Sequence, residues 1–309
     1  MAAVDVPPAV APTPIAAPPI KRRRPSTSDS AVGAGRSRAG TVVASAAGII
    51  FAVVMAFPVY WLINTSFKPP NEVLSFTPSF VPENFTFDNY VSAVRAPNFL
   101  ANLRNSLIIT IAATFCALVV GFFAALAIAR FRFFGRRAIV MVILLVQMVP
   151  FIALLIPLFL MLNRAQLTDT LPGVVITYVV LILPYTVWTL RGFIAGVPRE
   201  LDEAALVDGC TRWQTFYRVI LPLTGPGLVA TSIYGFIQAW NEFIIINTLN
   251  GSPANQNLMA WLLQNQTSRG TFWGPLMAGS MLTALPVVIF FLMIQKNIAA
   301  GLTAGAVKG

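Results

Sequence analysis

The amino-acid sequence predicts an all-α membrane protein that crosses the bilayer six times. Its mean hydropathy is +0.75, and only 10% of its 309 residues are charged, whereas a soluble domain carries roughly 25%. Six apolar stretches each approach the ~20 residues that an α-helix needs to cross the hydrocarbon core. They cover approximately residues 41–64, 105–129, 138–162, 171–194, 225–246 and 276–296.

Several of these predicted spans contain proline, which disrupts an isolated helix. Pro150 and Pro157 lie in the third span, Pro184 in the fourth and Pro286 in the sixth. Helices within a bundle tolerate proline where neighbouring groups satisfy the freed backbone carbonyls. We therefore predict that each apolar stretch forms one span.

The distribution of basic residues predicts that both termini face the cytoplasm. With the N-terminus inside, the Lys and Arg of the N-terminal tail, of loops 130–137 and 191–218 and of the C-terminal end all fall on one side. Short cytoplasmic loops carry this excess of positive charge. The opposite side holds only Lys68, Arg95, Arg104, Arg164 and Arg269.

Residues 1–40 differ in composition from the rest of the chain. They are rich in Ala and Pro and include a basic cluster from Lys21 to Arg24, a composition that predicts a disordered tail. The cluster is compatible with a nucleic-acid or lipid patch, but the apolar span that follows favours a topology anchor, without a nucleic-acid partner. The segment is longer than a cleavable signal peptide. We therefore predict an uncleaved tail followed by a membrane domain, residues 41–309.

The residue types exclude most enzyme chemistry. The chain has no histidine and only two cysteines, Cys116 and Cys210, which excludes His-based triads and Cys/His metal sites. It has no G-x-x-x-x-G-K-[ST] loop, so it is not expected to bind ATP in that manner. A secondary transporter typically carries several intramembrane ionisable residues and inverted repeats, which are not detected. We predict a non-catalytic transport protein with no metal or cofactor of its own.

The cytoplasmic loop, about residues 195–224, is predicted to form two short helices joined by a hinge. Pro198 suits the first position of a helix. Gly209 suits the left-handed position that follows a helix end. Thr211 and Gln214 have the spacing of a capping box that starts a second helix.

Apolar side chains repeat on one face of that second helix, at Trp213, Phe216, Tyr217 and Ile220. Pro222 marks the end of the run. One interpretation is a helix that docks into a groove of a partner protein. The other is a helix that lies on the lipid surface, because Trp and Tyr also favour that interface. These residues alone leave both interpretations open.

The spacing within the loop resembles the EAA loop of binding-protein-dependent ABC importers. That motif is EAA, three residues, Gly, nine residues and Ile-x-Leu-Pro; here it reads Glu203-Ala204-Ala205, Gly209, Val219 and Leu221-Pro222, with Val in the Ile position. The resemblance continues outside the loop and covers roughly residues 45–309. The segment Trp240-Asn241-Glu242-Phe243 resembles the corresponding segment of carbohydrate permeases. The segments Ala284-Leu285-Pro286 and Gly301 to Gly309 are similar to the second permease of maltose-type sugar importers.

The resemblance implies a fold, a location and a set of partners. The fold is that of type I ABC importer permeases, in the bacterial inner membrane. The partners are a second homologous permease, two ATPases that bind ATP and Mg²⁺, an extracellular sugar-binding protein, the sugar itself and membrane lipid. Related permeases carry amino acids, peptides or glycerol phosphate, but the C-terminal ending favours a carbohydrate.

The resemblance also implies that the cytoplasmic loop docks in a cleft of an ATPase. Glu203 would make an ionic contact there, Gly209 would be the hinge, and the helix from Trp213 to Val219 would fill the groove. The C-terminal tail, about residues 297–309, would reach between the ATPases, with Lys308 as a contact. The full set of implied docking residues in the loop is Glu203, Ala204, Ala205, Asp208, Gly209, Trp213, Phe216, Leu221 and Pro222.

Polar residues inside the predicted spans are candidates for the solute path, because such groups are costly in hydrocarbon. They are Gln147, Asn241 and Glu242; the last two alternatively gate the path or cap a helix contact. In the outer loop 247–275, Trp261 and Trp273 suit sugar contact. An interfacial aromatic belt is the favoured alternative for Trp273.

Overall fold

A computed structural model describes residues 38–264, 266–267 and 270–306, and these are almost entirely helical. The chain divides into two compact units. The first unit ends at Ala56 and contains the beginning of helix α1; the second unit starts at Phe57 and contains the other elements. The basic part of the predicted N-terminal tail, from Lys21 to Arg24, lies outside the described residues.

Fourteen α-helices account for most of the described residues. They are connected by short turns, by one π-helical turn at Phe216–Ile220 and one 3-10 turn at Pro253–Asn255. Gln266–Thr267 and Gly270–Thr271 pair as a short antiparallel ribbon. The helices are α1 Arg38–Ser66, α2 Pro70–Val73, α3 Asp88–Arg95, α4 Phe99–Arg130, α5 Arg136–Met148, α6 Phe151–Arg164, α7 Leu171–Gly196, α8 Arg199–Val207, α9 Arg212–Thr215, α10 Leu221–Leu223, α11 Gly225–Asn241, α12 Ile244–Leu249, α13 Leu258–Leu263 and α14 Trp273–Ala306.

The membrane helices comprise four long helices and two bent pairs. By length and composition, α1, α4, α7 and α14 are each able to cross a membrane. The pair α5 and α6 bends by 102°, and the helical segment Arg212–Leu223 bends by 68° against α11. With each pair counted as one span, the described residues contain the six predicted spans.

The third predicted span is interrupted and is not one continuous helix. Val149 is extended, with φ −76° and ψ 125°, and ends α5 before Pro150 starts the next segment. Proline disfavours the helical conformation of the residue before it and has no N–H to continue the ladder. Pro157 and Pro184, in contrast, lie inside helices α6 and α7.

The fifth span also differs from its prediction, because α11 ends at Asn241 rather than near residue 246. Glu242 is extended, with φ −76° and ψ 128°, and the short helix α12 follows. The interruption places a carboxylate and two helix ends side by side. This arrangement forms one part of the candidate site.

Helices α4, α7 and α11 form the centre of the second unit. Ile109 and Ala113 of α4 pack with Tyr178 and Ile182 of α7, and all four are fully buried. A Cβ atom at Gly121 of α4 would lie 2.6 Å from the Thr186 side chain, which shows how closely α4 approaches α7. The centre of the second unit is therefore a rigid support for the loops at both ends.

Helix α3 lies in the outer segment, and its Asn89 and Ala93 are buried. The Asn89 side-chain amide donates to the carbonyls of Ser66 and Lys68, over 2.9 and 2.7 Å. A Cβ atom at Gly274 would lie 2.4 Å from Asn89 Oδ1, so α14 passes close to this helix. The outer segment 67–98 is thus attached to the bundle.

Candidate functional site

The hinge of the cytoplasmic loop lies at Gly209, as predicted. Gly209 has φ +85°, although a Cβ atom there would meet nothing within 4 Å. Its N–H donates to the Leu206 carbonyl over 3.1 Å, and the Cys210 N–H donates to the Ala205 carbonyl over 2.9 Å. These two bonds form a Schellman motif, which ends helix α8 and requires the left-handed conformation at this position.

The second helix of the loop starts with the predicted capping box. Thr211 Oγ1 accepts from the Gln214 N–H over 3.2 Å, and Gln214 Oε1 accepts from the Thr211 N–H over 2.7 Å. At the start of the loop, Pro198 lies at the N-cap of α8, with ψ 136°, one residue before its predicted position. The predicted pair of capped helices is therefore confirmed.

A π-helical turn that was not predicted follows the capping box. The Leu221 N–H donates to the Phe216 carbonyl, five residues earlier. Pro222 has no N–H, and its ring displaces the carbonyl to which a backbone N–H at this position would donate, so the turn before it widens. Helical backbone continues through Leu223, one residue beyond Pro222.

Only part of the predicted aromatic face is exposed, because two of its four residues point toward the membrane helices. Phe216 is only 6% exposed and its ring lies 5.6 Å from the Phe122 ring and 5.7 Å from the Phe123 ring. Ile220 is also buried in this cluster. The assignment of Phe216 to a partner groove is therefore wrong, because a side chain buried within this chain cannot fill another protein's cleft. Leu221 packs against the same cluster.

Trp213 and Tyr217 have a different environment, since they are 56% and 51% exposed. The Trp213 ring nevertheless stacks on Phe216 at 5.0 Å and lies 6.3 Å from the parallel Phe123 ring. One edge of the aromatic cluster thus stays accessible. Pro222 is exposed as well.

An ion pair that the sequence analysis did not identify attaches α8 to the end of α4. Arg130 Nε lies 3.0 Å from Asp202 Oδ2, and the two side chains are 8% and 19% exposed. Arg130 Nη1 donates to the Val197 carbonyl over 3.0 Å, and Arg199 Nη2 donates to the Ala129 carbonyl over 3.2 Å. In the sequence, the features that could have indicated this ion pair are a basic residue at the end of a span and an acidic residue in the first turn of a helix.

The same loop segment also exposes residues of the motif. Glu203, Ala204 and Asp208 are exposed, whereas Ala205 is only 8% exposed. Within the part of the chain that the structure describes, only two ion pairs form, and neither involves Glu203 or Asp208. Two unpaired carboxylates on a firmly held helix are suited to an electrostatic contact with a partner.

The second polar site surrounds Glu242, between α11 and α12. Both carboxylate oxygens accept from the Ile245 N–H over 3.0 Å, and Oε2 also accepts from the Tyr178 hydroxyl over 3.0 Å. Asn257 Nδ2 donates to the Glu242 backbone carbonyl over 2.6 Å. The Glu242 carboxylate thus caps the first turn of α12, while Tyr178 and Asn257 are partners that the sequence did not reveal.

A cavity of about 320 Å³ opens beside this cap. Asn241 and Glu242 line it, together with Gln238, Phe151 and Phe243. The spacing 238, 241, 242 places these polar residues on one helix face, so Gln238 was detectable from the sequence. Asn241 Nδ2 donates to the Ile237 carbonyl over 3.0 Å.

Gln147 does not lie in this cavity. Its side chain is exposed and donates to the Ile143 carbonyl of its own helix over 3.4 Å. The break at Val149 turns α6 away from α5, so Gln147 and the lining residue Phe151 fall on different helices. The structure therefore does not join Gln147 to the Asn241–Glu242 site.

The outer loop also departs from its prediction. Trp261 is 2% exposed and packs edge-on against Phe99, with ring centroids 4.9 Å apart, so it is not available to a sugar. Trp273 is 45% exposed and lines a separate cavity of about 380 Å³ with Trp61. Lys308, the implied contact of the C-terminal tail, lies outside the described residues.

Comparison with known proteins identifies the family. Residues 117–303 match the family described as the binding-protein-dependent transport system inner membrane component. The chain belongs to this family. It is 42% identical to the diacetylchitobiose uptake system permease protein DasC of Streptomyces coelicolor, over 89% of this chain and 99% of that protein.

Other relatives agree with this membership, and a solved structure has the same fold. The trehalose transport system permease protein SugB of Mycobacterium tuberculosis is 38% identical over 82% of this chain and 92% of its own length. The Thermococcus litoralis trehalose/maltose permease protein MalG is 34% identical over 84% of this chain and 94% of its own length. A bacterial ABC transporter that imports alginate has a chain with TM-score 0.74 at 20% identity, covering 84% of this chain and 98% of that chain, which establishes the fold.

Proposed function

We propose that this chain is the membrane-spanning permease subunit of an ATP-driven carbohydrate importer. It would form half of the solute path and pair with a second homologous permease. Two separate ATPases would bind ATP and Mg²⁺, and an extracellular binding protein would deliver the sugar. The family membership supports transport, and the names of the diacetylchitobiose and trehalose relatives favour a sugar.

The observation that carries the coupling part of this proposal is that helix α8 is both attached to the bundle and exposed at the motif carboxylate. The Arg130–Asp202 ion pair fixes the helix to the bundle, and Glu203 is exposed without an ion-pair partner among the described residues. A force applied at Glu203 would therefore act on the end of α4 through an ion pair and two side-chain-to-backbone hydrogen bonds. This is the arrangement that a rigid-body switch between inward and outward states needs.

The decisive experiment replaces Glu203 by Lys in the full complex. We expect loss of ATPase co-purification and of sugar uptake, because the substitution reverses the charge at the contact. Glu200→Lys is the matched control, since Glu200 is an exposed carboxylate on the same helix but is not part of the motif. Normal ATPase association and uptake in the Glu203 variant, with equal membrane abundance, would overturn the docking role.

The cavity beside Glu242 is the part of the proposed path that this chain contributes. It combines the amides of Gln238 and Asn241 with the aromatic rings of Phe151 and Phe243, and sugars are recognised by such combinations of polar groups and flat apolar surfaces. We expect Asn241→Ala to raise the sugar concentration for half-maximal uptake while ATPase assembly stays normal. An unchanged concentration dependence would exclude Asn241 from the path.

A further inference from the structure

Three arginines line a cavity that is separate from the coupling loop and from the Glu242 site. The cavity has a volume of about 540 Å³ and is lined by Arg136, Arg137 and Arg191, with Val140 and Met141 as its apolar wall. None of its lining residues is acidic. The two ion pairs of the described part of the chain, at Lys68 and at Arg130, leave these arginines without a carboxylate.

The placement of two of these arginines is unfavourable without an anion. Arg136 and Arg137 are the first residues of α5, a 13-residue helix with no acidic residue in its first turn and no side-chain cap at Gly135. The N-terminus of a helix carries a partial positive charge and favours negative groups. Two cations at this position therefore repel both each other and the helix dipole, unless an anion lies between them.

The third arginine approaches from α7 and has an unused donor. Arg191 Nε is buried and has no hydrogen-bond partner, and its guanidinium carbon lies 5.4 Å from the centre of the Trp188 ring. A buried N–H of a charged group without a partner is costly. A phosphate oxygen would satisfy it, because guanidinium donors match phosphate geometry.

The surroundings of the cavity place it at the level of the lipid headgroups. The turn before α5 exposes Phe131, Phe133 and Phe134, and Phe134 is completely exposed. The side chain of Trp188 is 39% exposed. Aromatic residues collect at the membrane–water interface, and basic pockets between helices on the cytoplasmic side hold anionic lipid headgroups.

We propose that Arg136, Arg137 and Arg191 form a binding site for a phosphate group, supplied by the headgroup of an anionic phospholipid of the inner leaflet. The phosphate lies between the N-terminus of α5 and Arg191, and the acyl chains extend along Val140 and Met141. The bound lipid fixes the start of α5 to α7. This site adds a lipid ligand to the proposed transport function and does not depend on the identity of the sugar.

The test measures lipid retention by the complete complex after detergent extraction. Wild type should retain phosphatidylglycerol in preference to phosphatidylcholine by native mass spectrometry. Each Arg→Gln substitution should weaken retention about fivefold, and the triple variant Arg136→Gln/Arg137→Gln/Arg191→Gln should retain neither lipid preferentially. Arg132→Gln is the matched control, because Arg132 is exposed in the same turn and does not line the cavity.

A second measurement separates lipid from soluble phosphate and guards against misfolding. Inorganic phosphate is added to the complex in phosphatidylcholine nanodiscs, and the unfolding temperature is recorded. If phosphate raises the unfolding temperature only when the arginines are present, and the complex retains no phosphatidylglycerol, the site binds soluble phosphate. The triple Arg→Lys variant keeps the charge and should retain part of the lipid. Equal phosphatidylglycerol retention by wild type and the triple Gln variant, with no phosphate effect, would overturn the proposal.

Discussion

The cytoplasmic loop, residues 195–224, and the outer loop, residues 247–264, use their polar side chains in opposite ways. In the outer loop, Asn250 donates to the Asn255 carbonyl over 2.7 Å, and Asn255 donates to the Asp169 carbonyl over 2.8 Å. In the cytoplasmic loop, Glu203 and Asp208 are exposed and unpaired within the described chain. A polar composition therefore indicates a partner surface only where the polar groups remain unsatisfied.

The aromatic residues of the two loops show in the same way that composition alone does not identify a partner surface. Trp261 of the outer loop and Phe216 of the cytoplasmic loop were both candidates for external contact, and both are buried against α4. Each one fixes its loop to the bundle. The apolar side chains of the loops thus determine how rigidly a loop is held, while the unpaired charges determine where it can bind.

The largest expected effect comes from Arg130→Ala, which releases α8 from α4. The substitution leaves Asp202 half-buried without its partner. We therefore expect the free energy of unfolding to fall by about 2 kcal/mol, which is less than the loss for a fully buried pair. Sugar uptake should fall to near background while ATPase binding at Glu203 persists. Uptake and co-purification, measured on the same membranes, check this expectation.

A double-mutant cycle tests whether the effect of Arg130→Ala comes from the ion pair. Arg130→Ala and Asp202→Asn together should lower the free energy of unfolding by less than the sum of their separate effects, because each removes the same contact. Additive losses of stability would show that Arg130 acts mainly through its hydrogen bond to the Val197 carbonyl.

A smaller effect is expected for Gly209→Ala at the hinge. A residue with a β-carbon costs about 1 kcal/mol in the left-handed conformation, and nothing else crowds the position. Uptake should fall several-fold, and Gly209→Asn should restore most of it, since Asn tolerates this conformation. Gly196→Ala is the control, because that glycine also has open space around it; an equal loss in both variants would contradict the role of the hinge conformation.

The smallest effect concerns Asp169, which holds the outer loop. Hydrogen bonds from the Ser252 side chain, the Ser252 N–H and Asn255 lower the pKa of Asp169, against a smaller opposing effect of burial. A carboxyl group with a lowered pKa stabilises the fold above its unfolded pKa, and this contribution is lost as the pH falls through the lowered folded value. Acid should therefore loosen the outer loop as the pH falls through the lowered pKa of Asp169.

Hydrogen exchange of residues 250–257 between neutral and acidic pH measures this effect. Ser252→Ala should shift the loosening to higher pH, because it removes the largest cause of the lowered pKa. Asp169→Asn should make the loop insensitive to pH in this range. Asn is acceptable there because Asp169 has φ +57°, a conformation that Asn adopts readily. Identical pH profiles in the Ser252 variant and wild type would contradict the assignment.

The sequence by itself determined the features that depend on neighbouring residues. Span positions followed from local hydropathy, and the left-handed Gly209 and the Thr211–Gln214 capping box followed from local backbone chemistry. The spacing from Glu203 to Pro222 indicated the family that residues 117–303 match. Local rules succeeded here because the determining atoms lie within a few residues of each other.

Only the tertiary structure decided which way each side chain faces and which distant groups meet. Arg130 and Asp202 are far apart in the chain, and so are Glu242 and Tyr178, yet each pair is in contact at 3.0 Å. As a pattern, the aromatic stripe of the loop fitted a partner groove and a lipid surface equally well. The structure instead buries Phe216 of this stripe against Phe122, because helix packing, not periodicity, selects the surface that an amphipathic face covers.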